Sequence, residues 1–253
     1  MSKPSLRALF NAVKNGNANE VRLLLEGGAD PNQTGEDKFT PLHWASWWGR
    51  AEVAALLLQS GSDPNQAGVF NWSSLHLASQ KGHAEVATLL LQNGANTNAT
   101  DMVGSTPLHL ASQKEHAEVA ALLLQGGTDP NQTNDSGWTP LHWASRHGHA
   151  EVAALLLQSD SDPNRANKFG RIPLYYASLY GYAEVVKLLN GWPKAPSLLT
   201  LCIRAAHKHN LTENVPPLLL QFLDPEETIE REQKRRKRER ERDAEESSNK
   251  KQR

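Results

Sequence analysis

The sequence predicts an all-α solenoid of about six helix-turn-helix units, followed by a C-terminal helical segment and a charged tail. A fixed repeat is the first observation that predicts it. A motif related to TPLH recurs every 33 residues, in degenerate form from Arg7 and then from Thr40, Ser73, Thr106, Thr139 and Ile172. Self-similarity at such a period indicates stacked supersecondary units. The other observations are a helical spacing of apolar residues within each unit and proline and glycine at fixed places.

The first helix of each unit is predicted to be short, as the second unit illustrates. Pro41 lies in the first helical turn, where its missing N–H costs nothing. Thr40, directly before it, is a residue type that caps helices. Gly49 is predicted to end the helix in the left-handed conformation. The helix should therefore run from Pro41 to about Trp48.

A second helix is predicted from Ala51 to Gln59. Val53, Leu56 and Leu57 fall on one helical stripe of this segment. The DPNQ stretch that follows is predicted to be an extended loop leading to the next unit. Because no single unit can bury its apolar face alone, each unit must stack on its neighbours.

One unit departs from the pattern where its first helix should end. Glu115 occupies the position that is glycine in the other units, namely Gly49, Gly82, Gly148 and Gly181. If the backbone there is left-handed, the Cβ of Glu115 costs on the order of 1 kcal/mol. Replacing Glu115 by glycine should then stabilise the protein.

The repeated stretches TPLHWAS, GRAEVAALLLQ and GSDPN resemble the ankyrin repeat, and six such units cover residues 4–190. The resemblance implies a protein-binding module whose concave surface is formed by the loop tips and the exposed side of each first helix. It also implies a structural role for the repeated histidines, which would hydrogen-bond the backbone between units. These are His43, His76, His109 and His142 in the motif, and His83, His116 and His149 after the helix end.

The overall composition excludes several classes of function. The only cysteine is Cys202, so no disulfide can form within the chain, and a reducing compartment, the cytoplasm or the nucleus, is favoured. No apolar run approaches the ~18 residues of a membrane span. The histidines lack companions at metal-ligand spacing, and no nucleophile or phosphate-binding motif is present. We therefore expect no enzymatic activity, no cofactor and no metal.

Candidate binding residues are found where the units differ from one another. The units are otherwise near copies, so variation within one molecule points to positions that a partner touches. Trp and Arg are also typical of binding hot spots. Trp44 is expected to pack partly between units, whereas Trp47 and Trp48 are expected to project into the groove. The predicted partner-binding residues are Phe39, Trp44, Trp47, Trp48, Trp72, Gln80, Lys81, Gln113, Lys114, Trp138, Trp143, Arg146, His147, Tyr176 and Tyr180.

These residues predict two patches and a protein partner. Phe39 and Trp72 are expected to join Trp47 and Trp48 in one patch. Trp138, Trp143, Arg146 and His147 are expected to form the other. Residues 1–225 carry 16 basic against 19 acidic residues, so we do not expect nucleic acid in the groove. The protein is expected to be a monomer.

Repetition stops near Gly191, and residues 191–196 form a proline-punctuated linker. Residues 197–224 resemble a SOCS box, the segment by which some ankyrin proteins dock on elongin B/C and a cullin in ubiquitin ligases. The matching positions are Leu198, Cys202 and Ala206 in the elongin-binding half, and Pro216, Leu219, Phe222 and Leu223 in the cullin-binding half. Two alternatives remain: a helical cap that seals the last repeat, and another adaptor segment.

The tail, residues 225–253, has too few apolar residues to pack a core. Its mixed charges fit a solvated helix, and one basic run also resembles a nuclear-import signal: Lys234, Arg235, Arg236, Lys237 and Arg238. The sequence as a whole predicts an adaptor that binds a protein in its groove, with a substrate-receptor role in an elongin–cullin ligase. The alternative is a nuclear or cytoplasmic scaffold without a ligase link.

Overall fold

The structure, a computed structural model, describes residues 6–35 and 38–192. The chain divides into two compact units, residues 1–192 and 193–253, and the array of repeats lies in the first. Residues 193–196 of the predicted linker, the SOCS-box-like segment and the basic run lie outside the described residues, whereas Gly191 belongs to the last helix of the repeats.

The described residues form twelve α-helices, two in each of six units, and no strand, which confirms the predicted fold class. The first helices of the units are α1 Leu6–Asn15, α3 Pro41–Trp48, α5 Ser74–Lys81, α7 Pro107–Gln113, α9 Pro140–His147 and α11 Pro173–Leu179. The second helices are α2 Ala18–Glu26, α4 Ala51–Gln59, α6 Ala84–Gln92, α8 Ala117–Gln125, α10 Ala150–Gln158 and α12 Ala183–Gly191. A single 3₁₀ turn, Val69–Asn71, lies in the loop before α5.

The helices stack in two layers. Each first helix packs on the first helices of the neighbouring units, and each second helix packs on the neighbouring second helices. One continuous core runs between the layers, filled by leucine, valine and alanine at equivalent positions of successive units, such as Leu42, Leu75, Leu108 and Leu141. Because each unit contacts only its neighbours, the core is shared along the whole stack.

The predicted caps of the first helices are present. The side chain of Thr40 accepts a hydrogen bond from the backbone N–H of His43, and Gly49 closes the helix with φ 66°. Ser73, Thr106 and Thr139 cap their helices in the same way. Ile172 cannot do so, and α11 begins without a side-chain cap. A Ser or Thr cap stabilises a helix by ~1 kcal/mol, so the sixth unit lacks a stabilising feature that the second to fifth units share.

The motif histidines join successive units, as the resemblance implied. In the fourth unit Nδ1 of His109 accepts a hydrogen bond from the backbone N–H of Thr106 at 3.1 Å, and its Nε2 lies 3.0 Å from the carbonyl oxygen of Trp138 in the next loop. Because a carbonyl only accepts, Nε2 carries the proton and the ring is neutral. The same pair of bonds recurs at His43, His76 and His142.

The second set of histidines ties the helix ends together. His83 Nε2 donates to the carbonyl oxygen of Trp47 at 3.2 Å, and His116 and His149 donate in the same way to Gln80 and Gln113. In the second unit Arg50 takes this role and donates to the carbonyl oxygen of Lys14. These bonds satisfy carbonyl groups that would otherwise lack partners at the helix ends.

Asparagines in the DPN loops link the units on the far side of each second helix. Asn32 donates from Nδ2 to the carbonyl oxygen of Gly61 and accepts from the backbone N–H of Asp63 at 2.9 Å. Asn65 and Asn131 bridge their following loops in the same way. In the first, second and fourth units one amide side chain thus fixes the extended loop to the next.

Replacing Glu115 by glycine is expected to raise the free energy of unfolding by about 1 kcal/mol, because Glu115 adopts φ 64° and a Cβ is disfavoured there. Its carboxylate lies 3.4 Å from His149 Nδ1, but Glu115 is largely exposed, so this pair offsets only a few tenths of a kcal/mol. Urea denaturation followed by circular dichroism measures the change.

Glu118→Gly is the matched control for this prediction. Glu118 lies within α8, where glycine should instead destabilise the protein by about 1 kcal/mol. If both variants lost stability, the left-handed backbone at residue 115 would not be a source of strain.

Candidate protein-binding face

One face of the array is formed by the pair of residues at the C-terminal end of each first helix, and we call it the first-helix face. It comprises residues 14–15, 47–48, 80–81, 113–114, 146–147 and 179–180, one pair from each unit. The second residue of every pair is exposed. The structure therefore brings the equivalent positions of all six units onto one continuous surface. Because these positions differ in sequence between units, the side chains change from one unit to the next along this surface.

Trp47 and Trp48 lie on this face at the end of α3. Trp48 is 40% exposed and Trp47 is half-buried. Each indole ring is flanked by a lysine from an adjacent unit: Lys81 Nζ lies 3.7 Å from the centre of the Trp47 ring, and Lys14 Nζ lies 5.8 Å from that of Trp48. Such contacts hold the ammonium groups over the rings while leaving them in water. The two tryptophans thus offer apolar area beside fixed positive charge.

Phe39 and Trp72, which precede the caps of α3 and α5, are half-buried. The Phe39 ring stacks on His43 at 5.1 Å and meets Trp44 edge-on at 5.7 Å. It also covers Gly68 of the next loop, where an added Cβ would lie 2.3 Å from the ring. Trp44 itself packs against the core, as the sequence predicted. Phe39 therefore contributes to packing between units as well as to the surface.

The second predicted patch has a core of stacked rings at the fifth unit. Trp143 is half-buried and stacks on the exposed His147, with ring centres 6.0 Å apart, and His147 stacks in turn on His149 at 5.7 Å. Arg146 lies over the rings of Trp138 and Tyr180, at 5.5 and 5.8 Å. The outer parts of this patch are a guanidinium and an imidazole rather than an indole.

Two residues expected at the groove surface are instead buried. Trp138 is 7% exposed and Tyr176 is 3% exposed. Their rings lie 4.6 Å apart, and the Tyr176 hydroxyl accepts a hydrogen bond from Asn167 Nδ2. They pack the fifth loop against the sixth unit, so their side chains offer almost no area to a partner. The sequence pattern could not distinguish them from Trp47, because burial depends on the neighbouring unit.

The remaining predicted residues lie on the first-helix face in the third, fourth and sixth units. Lys81, Lys114 and Tyr180 are exposed, whereas Gln80 and Gln113 are half-buried and hold the histidines of the next units through their carbonyl oxygens. Leu179, beside Tyr180, is exposed as well. The aromatic and cationic character predicted for the face therefore extends from the second unit to the sixth.

The loop tips carry apolar side chains that the sequence analysis missed. Phe70 is 62% exposed, and Met102, Val103 and Phe169 are exposed at equivalent tips. The backbone N–H of Met102 donates to the carbonyl oxygen of Phe70 at 3.0 Å, which places two of these tips side by side. Aligning the residues before each TPLH motif would have revealed them, because these positions are polar in the fifth unit and apolar in the third and fourth.

Phe70 has an unusual backbone conformation. Its φ is 58° and that of Asn71 is 60°; the position of Asn71 is glycine in the fourth, fifth and sixth units, as at Gly104, and Lys38 with φ 59° in the second. A bulky residue in this region is strained, and such strain is typical of functional positions. A cleft of about 540 Å³ lies beside it, lined mainly by backbone and apolar groups of residues 67–71, with Lys38 and Met102 at its edges.

Charge divides between the two helix layers. The first helices contain four basic residues and no acidic residue: Arg7, Lys14, Lys81 and Arg146. Lys114 follows α7 directly. The second helices contain seven glutamates, Glu20, Glu26, Glu52, Glu85, Glu118, Glu151 and Glu184, against Arg22 and Lys187. The mildly acidic total charge of the array therefore conceals a positive face and a negative one.

The histidines at the face respond to their surroundings. Partial burial lowers the pKa of His147, and the neighbouring positive charges of Arg146 and Lys114 lower it further.

Among residues 6–35 and 38–192, no group of His, Cys, Asp and Glu side chains is arranged to hold a metal ion. Within the same ranges, no helix has the length and apolar character needed to cross a membrane.

Comparison with known families identifies the class of protein. A family model described as ankyrin repeats (three copies) matches residues 2–67, 65–134 and 122–193, most of the chain. The chain therefore belongs to the ankyrin repeat family, a class of typically non-catalytic modules that bind other proteins. A search of curated proteins returned no match.

Proposed function

We propose that this protein is a non-catalytic adaptor that binds a partner protein across its first-helix face, with Trp47 and Trp48 as the central anchors. The observation that carries the proposal is the exposure of Trp48 beside a half-buried Trp47 in an array whose other units place smaller or polar side chains there. An exposed Trp48 beside a half-buried Trp47 has no structural benefit that Gln and Lys do not provide in the next units.

Other features of the described residues support the same face. Apolar groups at the loop tips, including Phe70 and Met102, provide further contact area. The rings of Trp47 and Trp48 already lie beside Lys81 and Lys14, and a tryptophan side chain has only two rotatable bonds, so little conformational entropy is lost on binding. Hot spots are typically such rigid aromatic groups surrounded by polar ones.

Affinity capture with the full chain tests the proposal, comparing the wild type with the Trp47→Ala/Trp48→Ala variant. Proteins retained by the wild type and lost from the variant are the expected ligands of the face, and each is then purified and titrated. A set of bound proteins that did not change would show that binding does not use these tryptophans.

A second function is proposed on the residues that match a SOCS box. Leu198, Cys202 and Ala206 are spaced to present one apolar helical side that could enter a groove on elongin C. In this proposal the array holds a target, residues 197–223 dock the elongin–cullin machinery, and the protein is a substrate receptor of a ubiquitin ligase. The competing proposal is a scaffold in which this segment only caps the array.

Pull-down of purified elongin B/C by the full chain distinguishes the two. We expect recovery of elongin by the wild type, and its loss when Leu198→Pro and Cys202→Phe are combined, because a proline and a bulky ring disrupt an inserted helix. Failure of the wild type to recover elongin would leave the capping role. For the compartment we propose the cytoplasm, the nucleus or both, since the basic run 234–238 is of the import type.

A further inference from the structure

We propose that the occupant of the first-helix face is an extended acidic segment of a partner protein, with apolar residues interspersed among its carboxylates. This inference rests on the proposed function and names the chemistry of the partner. The juxtaposition that carries it is a row of cations, about one per unit, that runs beside exposed aromatic and apolar groups.

The row of cations consists of Lys14, Lys81, Lys114 and Arg146. Lys14 and Arg146 take the first place of the residue pair in the first and fifth units, and Lys81 and Lys114 take the second place in the third and fourth, while the second unit presents Trp47 and Trp48. Three of the four lie over aromatic rings, which keeps their charged groups at the surface of the array. A ligand that follows the stack therefore meets positive charge in four of the first five units.

These charges are not neutralised within the array. Among residues 6–35 and 38–192, none of the four cations forms an ion pair with a carboxylate. The first helices contain no acidic residue, Glu115 directly after Lys114 pairs with His149, and the seven glutamates of the second helices lie in the other layer. The electrostatic field of several like charges on one face attracts an oppositely charged ligand and raises its association rate.

The apolar groups beside the cations determine which acidic ligand fits best. Trp48, Leu179 and Tyr180 are exposed on the face itself, and Phe70 and Met102 are exposed at the loop tips. A segment that alternates carboxylates with leucine or aromatic residues can pair with the lysines and bury its apolar side chains on these groups. Burial of each such side chain contributes through the area removed from water.

Single-stranded nucleic acid also combines negative charge with stackable rings, but the observations favour a peptide. Four cations over six units is a low density for a strand with one phosphate per nucleotide. The aliphatic groups Leu179, Met102 and Val103 offer no stacking surface to a base, whereas they fit aliphatic side chains.

Selection from a phage library of random peptides tests the inference, with the full chain as target. Peptides of about 16 residues are long enough, since an extended one spans roughly 50 Å. We expect the enriched peptides to be acidic with interspersed apolar residues. A synthetic peptide of the consensus should bind the wild type at least tenfold more tightly than the Lys81→Glu/Lys114→Glu variant at about 0.1 M salt.

The matched control is Arg22→Glu/Lys187→Glu, which makes the same change in net charge on exposed residues of the second helices. This variant should bind the peptide within about twofold of the wild type, because at the Debye length of ~10 Å distant charges are screened. Equal losses in the two variants would mean that only net charge matters and would overturn the inference.

The other outcomes separate this inference from the proposed function. Enriched peptides that are neutral or basic, yet lost on Trp47→Ala/Trp48→Ala, would overturn the acidic occupant and leave the binding face. Acidic peptides that bind the Trp47→Ala/Trp48→Ala variant as tightly as the wild type would show that binding occurs elsewhere. That result would contradict both the acidic occupant and the proposed binding face. No enrichment would exclude an extended segment, while capture of folded partners still tests the face. Tighter binding of labelled oligo(dT), sensitive to Lys81→Glu/Lys114→Glu, would assign the face to nucleic acid.

Discussion

Lowering the pH from 7 to 4 is expected to reduce the free energy of unfolding by about 3 kcal/mol through His109 alone. Burial lowers the pKa of this ring to about 4, against 6.5 for an exposed histidine. Since each pKa unit corresponds to about 1.4 kcal/mol, the two and a half units between these values give this loss.

The sign follows from proton binding. Between pH 6.5 and about 4 the unfolded chain binds a proton at His109 and the folded chain does not, so acid favours the unfolded state. The stabilising effect is therefore complete above the unfolded pKa and declines as the pH falls toward the folded one. Burial also lowers the pKa of His76 and His142, so these rings add to the loss in the same direction.

The structure gives the physical reason for these low pKa values. The Nδ1 atom of His109 accepts the backbone N–H of Thr106, and a proton on Nδ1 would remove this acceptor and place a charge in the core. Protonation thus removes the ring's acceptor from the capping box of α7, whereas the Nε2–H donor to the carbonyl oxygen of Trp138 is kept.

Urea denaturation at a series of pH values, for the wild type and His109→Gln, measures the effect. The variant should be less stable at pH 7, because the bridge to Trp138 is lost, but its stability should fall by about 3 kcal/mol less between pH 7 and 4. Parallel curves for the two proteins would show that His109 titrates normally in the folded state.

Replacing Trp47 and Trp48 together by alanine is expected to weaken binding of the protein partner about 100-fold. Truncation of an aromatic hot spot costs roughly 1–3 kcal/mol, and each 1.4 kcal/mol corresponds to a factor of ten in affinity. The variant also frees Lys14 and Lys81 from the rings that hold them. Isothermal titration of a captured and purified partner measures the change.

The fold tolerates this replacement because the hydrogen bond from His83 reaches the backbone carbonyl of residue 47, not its ring. Leu23→Ala is the matched control: Leu23 is an apolar residue on α2, in the second-helix layer, and is 68% exposed against 40% for Trp48. It should leave affinity unchanged. A loss of affinity equal to that of the tryptophan variant, or a large fall in the melting temperature of the latter, would contradict the assignment.

The repeat architecture could be predicted almost completely from sequence. The bounds of α3 and α4 agree with those expected from the motif, because proline, the Thr cap and glycine act over a few neighbouring residues. The left-handed backbone at Glu115 was predicted for the same reason. Repetition strengthens such local signals, since each unit provides an independent copy.

The exposure of the candidate site residues could not be predicted in the same way. Trp47 and Trp138 belong to the same residue type and both lie near a first helix, yet one is on the surface and the other is buried against Tyr176. The difference arises from the residues that the adjacent unit brings to the contact. The apolar loop tips vary between units as the helix ends do, but that Phe70 and Met102 reach solvent depends on the conformation of the loops, which the repeat pattern does not specify.

The sequence by itself determined the number of units and the helix ends, since these depend on short-range chemistry repeated every 33 residues. Its resemblance to the ankyrin repeat implied the family and the histidine links between units. Only the tertiary structure decided which aromatic rings reach solvent, that cations lie over Trp47 and Trp48, and that basic and acidic residues fall in opposite helix layers. The physical reason is that burial and electrostatic field are properties of residues far apart in the chain, and stacking alone brings them together.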